Sequence, residues 1–274
     1  MSATRQRPLP QANATVRSRP DRAHVLGCPL DRVDLERAVA YCERVIERRG
    51  FAQHMAINAA KLVAMRSDSQ LREAVERCEL ITADGQSIVW ASRLLGDPLP
   101  CRVAGIDLMR ALLSRAAARG FRVYILGASR ETLALAVARI REEHPTLTIA
   151  GFHDGYYEDA EEERIAAEIA AARPDILFVA ISSPRKEYFL ARHGRRIGAP
   201  FVMGVGGAID VQAGIVRRAP LAMQRLGLEW LFRLAQEPRR LAGRYARTNA
   251  RFGALVAAEV VRARLRPGGR RAGA

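Results

Sequence analysis

An α/β fold, with a largely parallel sheet and helices on both faces, is the architecture this sequence predicts, and three observations carry it. Short apolar runs of strand length alternate with longer segments of helical spacing. Glycine turns stand where several of those runs end. Hydrophobic residues make up 49% of 274 residues, enough to pack a sheet on two sides.

The alternation opens with a helical pattern over 34–48, where Leu35, Ala38, Val39, Cys42, Val45 and Ile46 share one side. Residues 53–58 have strand character, and 59–67 and 69–78 helical character. Leu80-Ile81-Thr82 is a short apolar strand ending at Ala83-Asp84-Gly85, and 88–95 resumes as helix. A helix over 107–119 stops at Gly120, because glycine takes the left-handed conformation past a helix end at no steric cost. The strand over 121–126 runs into Gly127-Ala128-Ser129 and a helix over 131–143. Strands over 147–152, 176–181 and 200–205 alternate with helices over 158–172 and 186–195. A last pair of helices covers 221–234 and 245–266. In the second, Tyr245, Phe252, Leu255, Val256, Val260 and Leu265 are set among Arg247, Arg251, Arg262, Arg264 and Arg266. That basic amphipathic pattern suits an interfacial helix or a packed C-terminal one.

Charge divides the chain. The net charge is +15, yet 217–274 carries 14 Arg against 3 Glu and 1–22 carries 5 Arg against 1 Asp, so the 194 residues between are neutral. This predicts three parts: a disordered basic leader over 1–22, an α/β core over 23–216 and a basic helical appendage over 217–274. A basic end on a neutral body points to an anionic partner, a lipid surface or nucleic acid; an Arg-rich composition (42 Arg, and only Lys61 and Lys186) gives the same count without one. Aromatic content of 6% speaks against base-stacking platforms. No apolar run approaches the roughly 20 residues of a membrane span, and the N-terminus lacks the apolar segment of a secretory signal. Cys28, Cys42, Cys78 and Cys101 show no metal or redox spacing and read as reduced, mostly buried thiols.

Ligands of open α/β sheets bind beyond the carboxyl ends of the strands. There stand Asn58, Asp84-Gly85, Gly127-Ala128-Ser129, His153-Asp154-Gly155, Ser182-Ser183-Pro184 and the stretch from Gly204 to Asp210. Free N–H groups in glycine turns at helix starts attract phosphate, although neither a full dinucleotide fingerprint nor a P-loop occurs. Asp84, just past a strand, fits a general base or a helix cap. Arg217-Arg218 could grip a diphosphate with their planar forks or stand as solvated charges. The five His residues show no metal-ligand spacing, and no serine-hydrolase elbow is found.

Read together, the blocks Thr82-Ala83-Asp84-Gly85, Arg102-Val103-Ala104-Gly105-Ile106-Asp107-Leu108, Ile125-Leu126-Gly127-Ala128 and Ser183-Pro184-Arg185-Lys186-Glu187 resemble one family in order and wording. So do Gly204-Val205-Gly206-Gly207-Ala208-Ile209-Asp210, Arg218-Ala219-Pro220, Gly227-Leu228-Glu229-Trp230-Leu231-Phe232-Arg233-Leu234 and Glu237-Pro238-Arg239-Arg240. The family is that of the WecG/TagA/CpsF glycosyltransferases, and the resemblance covers roughly residues 25–245. It implies a Rossmann-like fold with a C-terminal appendage that closes the site and meets the membrane. It also implies an inverting transfer, without metal or other cofactor, of a sugar of N-acetylhexosamine type. The implied donor is a UDP-sugar and the acceptor a sugar on polyprenyl diphosphate, in cell-surface or exopolysaccharide synthesis. The partners would then be donor, acceptor and an anionic membrane surface at the cytoplasmic face, with no nucleic acid.

By that resemblance Asp84 matches the catalytic base, with Asn58 and Arg102 beside it. Gly127, Ala128, Ser129, Pro184, Lys186, Gly204, Gly206 and Asp210 fall on the donor side, and Arg218 and Arg233 match arginines that could meet the diphosphate. Two positions depart from the pattern: Ala56 stands where the family commonly has Thr, and Lys186 where it commonly has Gln. The alternatives are a nucleotide-sugar epimerase or dehydrogenase, against which the missing fingerprint speaks, and a basic nucleic-acid-binding protein, against which the neutral core speaks.

Overall fold

A computed structural model describes residues 20–265. Its centre is a sheet of six strands: β3 (Ala52–Ile57), β4 (Leu80–Ala83), β5 (Arg122–Gly127), β6 (Thr148–His153), β7 (Ile176–Ala180) and β8 (Phe201–Gly204). Their order is β4-β3-β8-β7-β5-β6 and every pair is parallel, so all six carboxyl ends lie along one edge. Both faces are covered, and the strands are apolar on both accordingly. On β7, Ile176 and Phe178 face one core while Leu177 and Val179 face the other.

The first face carries α1 (Leu35–Glu47), α5 (Gly105–Arg119), α6 (Arg130–Glu143) and α9 (Ala208–Gln212). Asp34 caps α1 through the Arg37 N–H, and Gly120 closes α5 at φ 71°, as the sequence predicts. The opposite face carries α7 (Glu162–Ala172) and α8 (Arg185–His193) beneath β5, β7 and β8. Beside them α2 (Ala59–Ala64), α3 (Ser69–Glu76) and α4 (Gln86–Leu94) cover β3 and β4. Helix α2 leaves β3 on one face and α9 leaves β8 on the other. The adjacent strands β3 and β8 therefore flank a topological switch point, the place where ligands of open α/β sheets bind.

Three expectations are corrected. The segment assigned to the leader reaches into structure: β1 (Arg22–Val25) pairs with β2 (Cys28–Asp31) as a hairpin. Buried Asp31 anchors it, accepting from Arg22 Nε at 2.8 Å and from the Ile81 N–H at 2.6 Å; residues 1–19 lie outside the described residues. The helix expected over 221–234 is two, α10 (Leu221–Arg225) and α11 (Glu229–Gln236), because Gly227 adopts φ 71° between them. The last helix, α12 (Pro238–Leu265), starts earlier than 245, with proline in the first turn where its missing N–H costs nothing. Phe252 and Val256 are buried in the core over α2, and Leu255 and Val260 lean on it. The middle of the apolar stripe of α12 thus packs inward, while Val261 and Leu265 near its end are exposed; Arg266 lies outside the described residues. Among the described residues no helix is long and apolar enough to cross a membrane.

Candidate active site

The end of β4 meets the end of β3 through the Asp84 N–H, which donates to the Ile57 carbonyl at 2.8 Å. This sets Asp84 and Asn58 side by side on the carboxyl edge. Asn58 caps α2, accepting from the Lys61 N–H at 3.0 Å, and is exposed. Asp84 does not cap the helix that follows it; Gly85 holds that position with no side-chain bond. Its Oδ1 instead accepts from the N–H of Gly105, the first residue of α5, at 2.9 Å. The cap and base readings thus meet in one carboxylate: one oxygen steadies a helix start, where its charge suits the helix dipole, and Oδ2 has no protein hydrogen-bond partner among the described residues. Burial raises the Asp84 pKa above the usual carboxylate range; the Gly105 N–H and Arg102 pull against the rise and Glu229 adds to it. A half-buried carboxylate with a raised pKa and an open oxygen has the properties of a general base. Ala56 lies beneath Gly105, where a Cβ would stand 3.7 Å from it.

Arg102 and Arg218 are drawn into an ion-pair network. Arg102 reaches Glu229 of α11 at 2.5 Å. Arg218 grips Asp107 with both nitrogens at 2.5 and 2.7 Å and touches Glu229 at 3.4 Å. This fork tethers the C-terminal segment to α5, so Arg218 is held by carboxylates and does not stand as a solvated charge.

The turn after β8 lies beside this group. The Lys186 stem runs along Gly204, where a Cβ would come within 3.0 Å of Cδ and Cε, and its Nζ would lie 3.7 Å from a Cβ on Gly206. Arg233 of α11 covers the same turn: a Cβ on Gly207 would stand 2.6 Å from its Nη2 and 3.4 Å from Asp210 Oδ2. Pro184 precedes α8 and Lys186 sits in its first turn. Lys186 is buried and pairs with Glu187 at 3.2 Å, and Glu187 pairs with Lys61 of α2 at 2.8 Å. Burial and then Lys61 hold the Lys186 pKa below the usual ammonium range, against Glu187 and Asp84. Burial alone would raise the Glu187 pKa, yet Lys61 and Lys186 keep it low.

Gly127, Ala128 and Ser129 stand apart. Four strand positions separate β4 from β5, a span of about 19 Å. The Ala128 N–H donates to the Ala180 carbonyl at 3.2 Å, and Ser129 Oγ accepts from the Thr132 N–H. The expectation that this turn offers its amides to phosphate is corrected for Ala128, whose N–H is spent within the fold. Lys61 is a residue that motif reading missed, its signal being the rarity of lysine; Glu187 stands in the block with Lys186 but drew no role from it. Among the described residues no group of three or more His, Cys, Asp or Glu is placed to hold a metal ion.

A carboxylate, two ammoniums joined through one buried glutamate and a glycine turn gather at the switch point of the parallel sheet. The chain belongs to the glycosyl transferase WecG/TagA/CpsF family, whose model matches residues 23–266. It is 38% identical over 162 residues to an N-acetylglucosaminyldiphosphoundecaprenol N-acetyl-β-D-mannosaminyltransferase of Bacillus spizizenii, covering 59% of this chain and 62% of that one. To the protein of the same name in Bacillus subtilis it is 35% identical over 182 residues, covering 66% and 70%.

Proposed function

We propose that this chain is an inverting, metal-independent glycosyltransferase that moves an N-acetylhexosamine-type sugar from a UDP-sugar to a sugar carried on polyprenyl diphosphate. The site works at the cytoplasmic face of a membrane, in cell-surface polysaccharide synthesis. Asp84 carries the reading: its open oxygen, raised pKa and place at the switch point suit a base that takes the proton of the acceptor hydroxyl. That hydroxyl oxygen then bonds to the anomeric carbon as the bond to UDP breaks, and the leaving diphosphate departs with the electron pair. Lys186, the glycine turn and Arg233 are cationic or N–H groups on the side where that charge develops. The two Bacillus relatives are named for transfer to N-acetylglucosaminyldiphosphoundecaprenol, which supports an acceptor of that class here.

The experiment is a panel: each of several UDP-sugars incubated with a short polyprenyl-diphosphate N-acetylhexosamine, with the product mass read without added metal. One added hexosamine-type residue, of inverted anomeric configuration, is the expected product. A changed donor sugar with an untouched acceptor would mean an epimerase instead.

A further inference from the structure

Of 44 basic residues only Lys61 and Lys186 are lysine, and both ammoniums end on one oxygen of the same fully buried carboxylate, Glu187 Oε1. A chain that uses arginine almost everywhere else has lysine at two facing positions on different helices, α2 and α8. The Lys186 stem runs along Gly204, where a Cβ would come within 3.0 Å of Cδ and Cε, so the glycine keeps its path open. One carboxylate between two ammoniums neutralises only one of them, so Lys186 draws on further anions around it. The other charged groups around Lys186 are Asp84 at the end of β4 and, across the turn, Arg233 and Asp210 at Gly207. Beneath, His54 is buried and held neutral, its pKa pulled down to about 3 by burial and by Lys61. Lys61, Lys186 and Arg233 are thus faced by Glu187, Asp84 and Asp210, and Lys186 lies against the turn after β8 on the carboxyl edge.

We propose that Lys61 and Glu187 are positioning residues for transfer: together they hold a charged Lys186 against the turn after β8, where it meets the diphosphate of a nucleoside-diphosphate-sugar donor. The inference rests on the transferase reading above. Glu187 supplies the counter-charge that keeps Lys186 protonated, Lys61 keeps Glu187 ionised, and repulsion between the ammoniums turns Lys186 toward the donor.

The two supports act on Lys186 with opposite sign, which gives the test. Transfer is followed as kcat and donor KM against pH on the full chain, with UDP affinity measured by calorimetry. In the unaltered chain kcat/KM falls on the alkaline side as Lys186 loses its proton. Glu187→Gln moves that limb to lower pH by about one unit, because its charge no longer offsets Lys61. Lys61→Met moves it to higher pH, because the repulsion is gone. Lys186→Gln abolishes the limb and weakens UDP by about tenfold, raising KM more than it lowers kcat. Should Glu187→Gln fail to fold, the other two variants decide the matter. Limbs that stay in place while all rates fall together would overturn the inference and leave the transferase reading intact. Binding of UDP without transfer of any sugar by the unaltered chain would overturn that reading, and the inference with it.

Discussion

At the end of β5 a Cβ on Gly127 would strike the Ala180 backbone at 2.5 Å, whereas at the end of β8 a Cβ on Gly204 would meet only the Lys186 side chain at 3.0 Å. In sequence the two turns look alike: each follows an apolar strand and precedes a helix. In space one glycine lets two backbones touch, and Gly155 closes the same corner with a Cβ position 2.9 Å from Gly127 Cα. The other glycine makes room for a charged side chain. A glycine turn at a carboxyl edge therefore marks a ligand site only when what it admits is itself chemical. By that criterion the β8 turn is the stronger candidate for a ligand, and Gly127 in the β5 turn serves the contact between backbones.

The comparison can be broken most decisively at Gly127, whose φ of 124° is a region that only glycine enters readily. Gly127→Ala combines backbone strain with a steric clash, for an expected loss of about 2–6 kcal/mol in chemical denaturation. A variant of unchanged stability would show that this turn is not built on contact. Gly204→Ala meets a flexible stem, so stability should fall by less than about 1.5 kcal/mol. Donor KM should still rise by about tenfold, as the displaced ammonium no longer faces the diphosphate. Equal losses of stability at the two glycines would erase the distinction.

A smaller effect, of opposite direction, is expected at the carboxylate beside the second turn. Asp84 has a folded-state pKa above its unfolded value, so the folded chain binds the extra proton and ionisation works against folding. Its contribution to stability is fully present below the unfolded pKa and is lost as pH rises through the folded one. Asp84→Asn keeps an oxygen for the Gly105 N–H and removes that penalty. Its melting temperature at neutral pH should therefore equal or exceed that of the parent chain, with the difference shrinking in acid. A variant that melts lower at neutral pH would mean that the charge is there for stability.

Much of the fold is legible in the sequence because local signals set it. Asp34 and Ser129 cap helices, Gly120 ends one, and short continuous apolar runs such as 176–180 build the strands buried on both faces. The β1 and β2 hairpin escapes notice because its strands are four residues long, one includes Pro29, and its anchor Asp31 bonds to Ile81, fifty residues away. The break at Gly227 is hidden by an apolar pattern that continues across it. For α12 the periodicity reveals an apolar stripe but not its partner, which proves to be the protein's own core over α2. At the site, Asp84 is legible as a residue past a strand, while the open state of Oδ2 is not. The tie between Lys61 and Glu187 joins residues 126 positions apart, beyond the reach of any local motif. The pairing of Arg218 is hidden for the same reason: its partner Asp107 lies far off in the chain.

The most direct trial of the account is single-turnover transfer by Asp84→Asn at saturating donor, with UDP binding measured alongside. With the fold and UDP affinity retained, the chemical step should slow by about 10²–10⁴, and the acid limb of the parent's rate profile, set above the usual carboxylate range by burial, should vanish. A variant that turns over near the parental rate with the acid limb in place would contradict the assignment of Asp84 as the base.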